Sequence, residues 1–373
     1  MASTQTLTLR EINRATLGRQ MLLRRERMRP LDAVERLVAI QAQLPRPVFI
    51  GLWTRLQDFD RAALQQLLME RKVVRATFLR GTIHVVSSAD FLAFRPAIQP
   101  ALEASMRGIL RDRIAGLDLE VLAARANRLL GKRPQTFEEL RDAFKREDPG
   151  ADERAMGYAV RMLLPLVQVP DEDARWGFPA RASFAPAGSW LGRKIPVKAA
   201  PPDALLLRYL AAYGPASARD FQAWAGLAPD AVRDAFGRQS ARLQTFRDEQ
   251  KRELFDLPGA PRPDADTEAP VRFVPDYDNL ITTRADERFV GKAHRPRVFL
   301  PNLRIAPTVL VDGFVAATWT LEAKKRTATV TIAPFGPLSR KVQAEIEAEG
   351  EALARFAEPG VPVVAVKFAR SGR

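Results

Sequence analysis

The chain has 373 residues, of which 46% are hydrophobic and 27% are charged. This length suits two or three domains, and the composition excludes a largely disordered protein. The 58 Lys and Arg residues outnumber the 44 Asp and Glu residues, and the net charge of +14 favours a polyanionic partner such as nucleic acid.

Missing residue types narrow the possible chemistry further. The sequence has no cysteine, which excludes disulfides, thiolate nucleophiles and cysteine-bound zinc. Its two histidines, His84 and His294, lie far apart in the chain, so we expect neither a metal nor a cofactor. No apolar run is long enough to span a membrane, and no secretory signal begins the chain. We therefore expect a cytoplasmic, nucleoid-associated protein without a membrane partner.

The first predicted unit, residues 1–130, combines helices with a pair of strands. Thr8 and Glu11 have the spacing of a helix capping box, and the apolar residues that follow Pro30 recur at helical spacing. The predicted elements are a helix after Thr8, a helix over residues 30–43, and strands over residues 75–78 and 82–86. We interpret this order as a degenerate winged helix.

The second unit, residues 131–200, repeats the order of helices followed by a hairpin. Thr136 and Glu139 again have capping-box spacing, and residues 153–164 are rich in Ala, Met and Leu. Residues 166–169 and 176–184 are predicted to pair as a hairpin.

The third unit, residues 201–260, has the clearest pattern of the chain. One helix ends before Gly214-Pro215, a second begins at the Ser217 and Asp220 capping pair, and a third follows Pro229. Two short apolar runs around a charged turn then predict a hairpin. Three short helices followed by a hairpin is the order of a winged helix-turn-helix, a unit that docks on nucleic acid.

The C-terminal part changes in character. Residues 258–270 are rich in Pro and Asp and are predicted as a linker. Strands are predicted over 308–315, 317–324, 327–333 and 361–368, with a helix over 338–356. The fold class is thus α+β, with three tandem winged helix-turn-helix units and a C-terminal β-rich domain over residues 270–373. No heptad pattern marks a dimerisation helix, and we expect a monomer.

A basic stretch between residues 174 and 202 has no carboxylate and contains four Trp or Phe residues. Cations bind phosphates, and aromatic side chains stack on bases or wedge between them. The stretch as a whole favours DNA contact. For any single residue, an aromatic side chain in the core or a solvated cation is an equally good interpretation.

Gln41-Ala42-Gln43 is the most unusual motif, because Leu44 and two prolines, Pro45 and Pro47, follow it. On a continuous helix, side chains at i and i+2 project in different directions. A residue before proline avoids helical geometry, so we expect the helix to end here and the two amides to converge. Each amide offers two donors and an acceptor, which suit a water, a phosphate or a sugar. Spacing alone favours the alternative of two ordinary glutamines at a helix end.

The Gln-x-Gln motif resembles the catalytic signature of the AlkZ/YcaQ-type winged-helix DNA glycosylase family. Gln43 matches the Gln-x-Gln, AlkZ-like subgroup, since another subgroup has Gln-x-Asp. Further similar segments are Arg80-Gly-Thr-Ile-His84-Val-Val, Trp176-Gly177, Ser189-Trp190-Leu191-Gly192, Leu210-Ala-Ala-Tyr-Gly214-Pro, Asp220-Phe with Trp224, Pro275-Asp-Tyr-Asp-Asn279 and Val311-Asp-Gly-Phe314. The resemblance covers nearly the whole chain. Residues 281–288 depart from the His-x-Asp-Arg-like run of the family, which leaves the role of that loop open.

The resemblance implies a monofunctional DNA glycosylase that hydrolyses the N-glycosidic bond of N7-alkylguanine, including bulky adducts and interstrand crosslinks. Its partner is double-stranded DNA containing alkylated guanine, and its role is repair or self-resistance to a genotoxic natural product. Gln41 and Gln43 are the expected catalytic residues, which hold the attacking water. The expected DNA-binding residues are Arg46, Arg75, Arg80, Thr82, His84, Arg175, Trp176, Arg181, Arg193, Lys194, Tyr277 and Asn279.

Two other functions remain open from the sequence. A non-enzymatic transcription regulator could be built from the same winged helices, although a regulator does not need the glutamine pair. A protein that sequesters the alkylating drug would bind the drug without DNA. His84 has two equal interpretations, as a residue facing the lesion or a phosphate, and as a hydrogen-bonded histidine at a strand edge.

Overall fold

A computed structural model of the protein describes residues 5–147, 149–150, 152–196, 198–282 and 286–369. Its N-terminal part begins with a short strand and a helix whose capping box, Thr8 with Glu11, is formed as predicted. The elements of this part are β1 (Thr6–Leu7), α1 (Leu9–Arg19), α2 (Pro30–Arg36), β2 (Ile40–Gln41), α3 (Pro45–Trp53), α4 (Arg61–Met69), β3 (Val73–Thr77), β4 (Ile83–Ser87) and α5 (Ser88–Leu110).

The helix predicted over residues 30–43 is wrong beyond Arg36. Helix α2 ends there because Val38 adopts a positive φ of 67°, which a continuing right-handed helix does not allow. The chain then turns into strand β2, which pairs with β4. Leu44 has the extended geometry expected before proline, but it precedes helix α3 and does not end an earlier helix.

The second part shares its sheet with the first. Its elements are α6 (Leu119–Lys132), α7 (Phe137–Glu147), α8 (Glu153–Leu163), β5 (Leu166–Gln168), β6 (Phe184–Pro186) and α9 (Ala187–Leu191). Strands from both parts form one antiparallel sheet in the order β2-β4-β3-β5-β6. The hairpin partner of β5 starts at Phe184, so the predicted strand over 176–184 is wrong: residues 169–183 form an irregular connection.

The third part contains the predicted three helices and hairpin. Its elements are α10 (Asp203–Tyr213), α11 (Ala218–Ala225), α12 (Pro229–Gln239), β7 (Gln244–Asp248) and β8 (Glu253–Asp256). The capping box of Ser217 and Asp220 starts α11, and Gly226 ends it. Strand β1 adds to the hairpin in parallel with β7, so the chain's first strand completes a sheet of the third part.

The C-terminal part follows a linker, and the described chain between β8 and the next strand has no regular element. The elements are β9 (Arg272–Val274), α13 (Asn279–Thr282), α14 (Arg295–Val298), β10 (Phe299–Leu300), β11 (Arg304–Ile305), β12 (Thr308–Val311), β13 (Phe314–Lys324), β14 (Thr327–Pro334), α15 (Arg340–Ala357) and β15 (Val363–Phe368). Five strands form a sheet in the order β15-β14-β13-β12-β9, and α15 packs on it through Ile346, Leu353 and Ala354.

The mixed α+β class is confirmed, while three winged helices and the domain boundaries remain predictions. One apolar core extends from Val38 through the second part to Phe236, so the first three parts are packed as a continuous body. No helix in the described ranges is both long and apolar enough to cross a membrane. The described residues also include no cluster of three or more potential metal ligands.

Candidate functional site

The two glutamines lie at the free β2 edge of the sheet β2-β4-β3-β5-β6. Gln41 pairs with His84 in register, and the pairing continues as the Ala42 amide donates to the Ile83 carbonyl at 2.7 Å. In an extended segment, side chains at i and i+2 project to the same side. Gln41 is positioned by a strand and not by a helix end, Gln43 follows at a bend just past the strand, and the convergence of their amides stays a prediction. Gln41 is 7% exposed, whereas Gln43 is open to solvent.

Hydrogen bonds fix the orientation of both amides. Arg80 Nη2 donates to Gln41 Oε1 at 2.9 Å, and the Ile83 N–H donates to Gln43 Oε1 at 3.2 Å. Guanidinium and backbone N–H groups only donate, so each must face an amide oxygen. Each Oε1 keeps a second lone pair. Within the described ranges, neither Nε2 donates to another group of the protein, and both amide nitrogens remain available to a ligand.

The turn that carries Arg80 is held by the third part of the chain. Arg80 has a positive φ of 56°, and its Nη1 donates to the Trp224 carbonyl at the end of α11. Gly226, which follows α11 and has a φ of +75°, packs directly against Arg80. A Cβ at this position would lie 3.2 Å from Arg80 Cα. Burial lowers the pKa of Arg80 to about 10, so the side chain stays charged at neutral pH.

The backbone of the glutamine segment is held from two sides. Arg75 on β3 donates to the Ala42 carbonyl at 2.8 and 3.0 Å and to the Gln43 carbonyl at 3.1 Å. Asn279 at the start of α13 donates to the Ala39 carbonyl at 2.6 Å. Arg75 and Asn279 are buried, and burial lowers the pKa of Arg75 to about 10. These groups satisfy carbonyls that the edge strand would otherwise leave unpaired.

His84 lies on strand β4, directly opposite Gln41 on the neighbouring strand β2. Its side chain has no exposure, and its Nδ1 lies 3.1 Å from the Thr82 carbonyl. Burial and the neighbouring charge of Arg80 lower the pKa of His84 to about 3. The imidazole is consequently neutral at physiological pH. Its Nδ1 is hydrogen-bonded inside the sheet, while its buried Nε2 has no hydrogen-bond partner among the described residues.

The remaining predicted DNA-binding residues do not all face the same environment. The hydroxyl of Thr82 donates a hydrogen bond to the Leu79 carbonyl at 3.1 Å. Trp176 packs against Phe49, with ring centroids 5.2 Å apart. Arg181 is exposed and pairs with Glu138 at 3.1 Å. Arg193 and Lys194, after α9, are exposed.

Arg46, Arg175 and Tyr277 lie around the start of α3 and the C-terminal part. Arg46 and Arg175 both approach Glu358, at 4.0 and 2.5 Å respectively. Tyr277 is half-buried and has a positive φ of 58°. Only part of the loop that departs from the family pattern belongs to the described residues. Residues 283–285 lie outside them, and Asp286 pairs with Arg288 at 2.7 Å.

A cavity of about 400 Å³ is lined by residues that contact the glutamine segment, although neither glutamine lines it and the register puts it on the face of the sheet opposite Gln41. Ile83, whose N–H holds Gln43, lines one wall, and Arg75 and Gln168 line another. Arg75 also donates to Gln168 Oε1, so the residue that holds the glutamine backbone forms part of the cavity wall.

Sequence reasoning missed three groups near this site. Asp276 is half-buried between Arg46 and Arg304, and burial raises its pKa. Its segment had been noted, but a lone Asp in it had no distinguishing signal. Glu358 is far away in the chain and had none. Leu303, at the tip of the β10–β11 hairpin, is 91% exposed with a positive φ of 57°, and Asn302 before it was the only local indication of a turn.

A sequence model of the family described as "DNA glycosylase AlkZ-like" matches residues 34–356. The structure is similar to that of the Streptomyces sahachiroi DNA glycosylase AlkZ, with a TM-score of 0.78 and 21% sequence identity over 98% of this chain and 100% of that one. No curated protein matches the sequence significantly.

Proposed function

Since the chain belongs to the AlkZ-like DNA glycosylase family, we propose that it hydrolyses the N-glycosidic bond of N7-alkylguanine in double-stranded DNA. Bulky adducts and interstrand crosslinks are included among its substrates. We further propose that the protein acts as a monomer on DNA in the cytoplasm.

The observation that carries the proposal is the pair of oriented amides on one exposed strand edge. Gln41 and Gln43 each present an Nε2 donor, with each oxygen held by a donor of the protein. Preorganised donors of this kind stabilise charge and position water without reorganising during the reaction. Both amide nitrogens are therefore left to water or to a ligand.

The chemistry matches amides better than a strong acid. Alkylation at N7 makes guanine cationic, so it departs as a neutral base when the electrons of the C1′–N9 bond move into the ring. A water oxygen then attacks C1′, and the water's proton passes to solvent. If both Nε2 groups donated to the same water, both of its lone pairs would be filled and none would remain to attack. We therefore assign the water to the second lone pair of one Oε1, which accepts a hydrogen bond from it, and an Nε2 donor to an acceptor on the departing base or the deoxyribose.

The surroundings support a bulky, alkylated substrate. The cavity beside Ile83 lies within the range of small-ligand sites, about 300–1,000 Å³, and we propose that it takes part of the DNA around the lesion. Arg175, Arg181, Arg193 and Lys194 keep exposed cationic groups that suit backbone phosphates. Arg75, Arg80 and Asn279 are proposed to act on DNA indirectly, because their side chains hold the glutamine segment. Whether the reaction serves general repair or self-resistance depends on the alkylating agent that the cell meets.

The proposal is tested with duplex oligonucleotides that carry N7-methylguanine or a bulky N7 adduct. After incubation with the protein, base release is scored as alkali-labile strand cleavage. We expect release from both substrates and none from undamaged duplex, because an uncharged guanine is a poorer leaving group. Binding to DNA without release from any alkylated substrate would instead support a transcription regulator, and affinity for the free drug would support a sequestering protein.

A further inference from the structure

Three arginines from separate elements surround one carboxylate near the start of α3. Arg175 Nη2 donates to Glu358 Oε2 at 2.5 Å and to the Ala357 carbonyl at 2.6 Å, and Arg46 Nη2 lies 4.0 Å from Glu358 Oε1. Arg61 lies over the Trp176 ring at 5.1 Å, and Arg175 lies over the same ring at 5.3 Å. This set of three guanidinium groups is called the arginine site below.

The arginine site has more donors than its carboxylate can accept. The buried Nε and Nη2 of Arg46 and the buried Nη1 of Arg61 have no hydrogen-bond partner in the described part of the chain. Buried donors without a partner are costly, and their presence points to a missing acceptor. Burial and the charge of Arg175 lower the pKa of Arg46 and of Arg61, which an added anion would relieve.

The start of helix α3 adds few backbone donors to the arginine site. Helix α3 starts with Pro45, Arg46 and Pro47, so two of its first three residues have no N–H group. Anion recognition at this helix start must therefore come from side chains. The charge of Asp60 raises the pKa of Arg61, and the charge of Asp276 raises the pKa of Arg46, but by less than burial lowers each value.

Glu358 behaves as an occupant of the arginine site. It caps the end of α15, its side chain is 9% exposed, and it reaches the site from the C-terminal part of the chain. The side chains of Arg175 and Arg46 are 50% and 32% exposed, so an external anion has access to them from solvent, while the unpaired donors of Arg46 are buried. A phosphate offers several acceptor oxygens and pairs with guanidinium groups in bidentate fashion.

We propose that the arginine site binds one backbone phosphate of DNA and that Glu358 occupies it in the free protein. The inference rests on the proposed function, since it places this phosphate close to Gln43 on the same segment. On binding, the phosphate takes over the donors of Arg46 and Arg175, and Glu358 turns away. The carboxylate thus competes with DNA for the site.

Binding of undamaged duplex DNA to the full chain tests the proposal by fluorescence anisotropy. Glu358→Gln should bind at least about fivefold more tightly than the wild type, because it removes a charged competitor for charge-assisted bonds. Glu349→Gln is the matched control: it removes one negative charge from the same helix, at the pair with Arg25, and should change affinity less than about twofold. Equal effects of the two variants would overturn the proposal.

A second measurement covers the case in which Glu358→Gln does not fold. The double variant Arg46→Gln/Arg175→Gln should lower the slope of log affinity against log salt by about 0.9, the value for one phosphate contact on B-DNA. An unchanged slope would overturn the phosphate site. These assays use undamaged DNA and involve no base release, so failure of glycosylase activity on alkylated duplex is recognised separately.

Discussion

At the scale of single residues, the orientation of each glutamine amide depends on a neighbour that can only donate. Arg80 decides it for Gln41, and the Ile83 amide decides it for Gln43. Since Ile83 acts through its backbone, no substitution of its side chain removes that bond. Of the two donors, only Arg80 acts through its side chain, so its contribution can be tested by substitution.

Arg80→Lys should slow base release by roughly tenfold, which corresponds to about 1.4 kcal/mol, while DNA affinity stays unchanged. Lysine keeps the positive charge, but its single ammonium group cannot bond both Gln41 and the Trp224 carbonyl as the guanidinium does. Single-turnover rates at saturating protein, together with a DNA titration, measure the two quantities. A loss that appears only in affinity would assign Arg80 to DNA binding and not to positioning.

His84 should make the protein less stable in mild acid. Its folded pKa of about 3 lies below the ordinary histidine value, so between pH 6.5 and 3 the unfolded state binds the additional proton. Stability is complete above pH 6.5 and falls as the pH drops, by up to about 1.4 kcal/mol per pH unit.

The free energy of unfolding, measured by urea denaturation at pH 7, 6 and 5, checks this. His84→Asn keeps a donor for the Thr82 carbonyl and should lose less stability than the wild type over the same interval. Parallel curves for the two proteins would show that His84 does not titrate in this way.

At the scale of elements, the glutamine segment shows what the sequence does and does not predict. The capping boxes at Thr8, Thr136 and Ser217 are local patterns, and all three form as predicted. Strand β2 has two residues, and its partner β4 lies more than forty residues further along the chain. Neither the positive φ of Val38 nor that distant pairing leaves a periodic signal. Gln41 lies in a strand and not at a helix end, so the geometric reason given for the convergence of the glutamines is wrong, and the convergence itself stays a prediction.

The junction between α11 and the Arg80 turn should not tolerate a side chain. In Gly226→Ala, the positive φ costs about 1–2 kcal/mol of unfolding free energy, and the new Cβ presses on Arg80. We expect base release to fall as well, since Arg80 holds Gln41. Gly237→Ala, in α12 with open space around it, is the control and should be neutral or stabilising by up to about 1 kcal/mol. Equal stability of the two variants would contradict the contact.

At the scale of the whole molecule, part of the large positive charge is internal. Arg19 pairs with Asp256, Arg55 with Asp278, and both pairs are buried between parts of the chain that are distant in sequence. Each of these pairs is neutral and leaves the net surface charge unchanged. Arg75 is different, because it is buried and donates to Gln168 and to the Ala42 carbonyl, so a net charge of +14 overstates the cationic surface that DNA meets. The sequence alone did not separate structural arginines from exposed ones, because both have the same local composition.

The buried pair of Arg55 and Asp278 connects the chain just after α3 to the residue that precedes Asn279 and helix α13. Asp278→Asn leaves the arginine charge buried without compensation, and we expect it to lower the unfolding free energy by about 3–5 kcal/mol. Asp32→Asn breaks an exposed pair with Arg29 and should cost less than about 1 kcal/mol. Chemical denaturation of both variants measures the difference, and a small effect of Asp278→Asn would show that the two parts are joined by other contacts.

The most direct measurement is the single-turnover release of N7-methylguanine from duplex DNA by the wild type, Gln41→Ala and Gln43→Ala. Loss of a preorganised hydrogen-bonding group typically costs on the order of 100-fold or more in rate. We expect a loss of that size in each variant, with DNA affinity close to that of the wild type. The unfolding free energy should stay close to the wild-type value in Gln43→Ala and fall by about 1–3 kcal/mol in Gln41→Ala, because buried Arg80 loses a hydrogen-bond acceptor. Release at the wild-type rate by both variants would contradict the assignment of the reaction to the two amides.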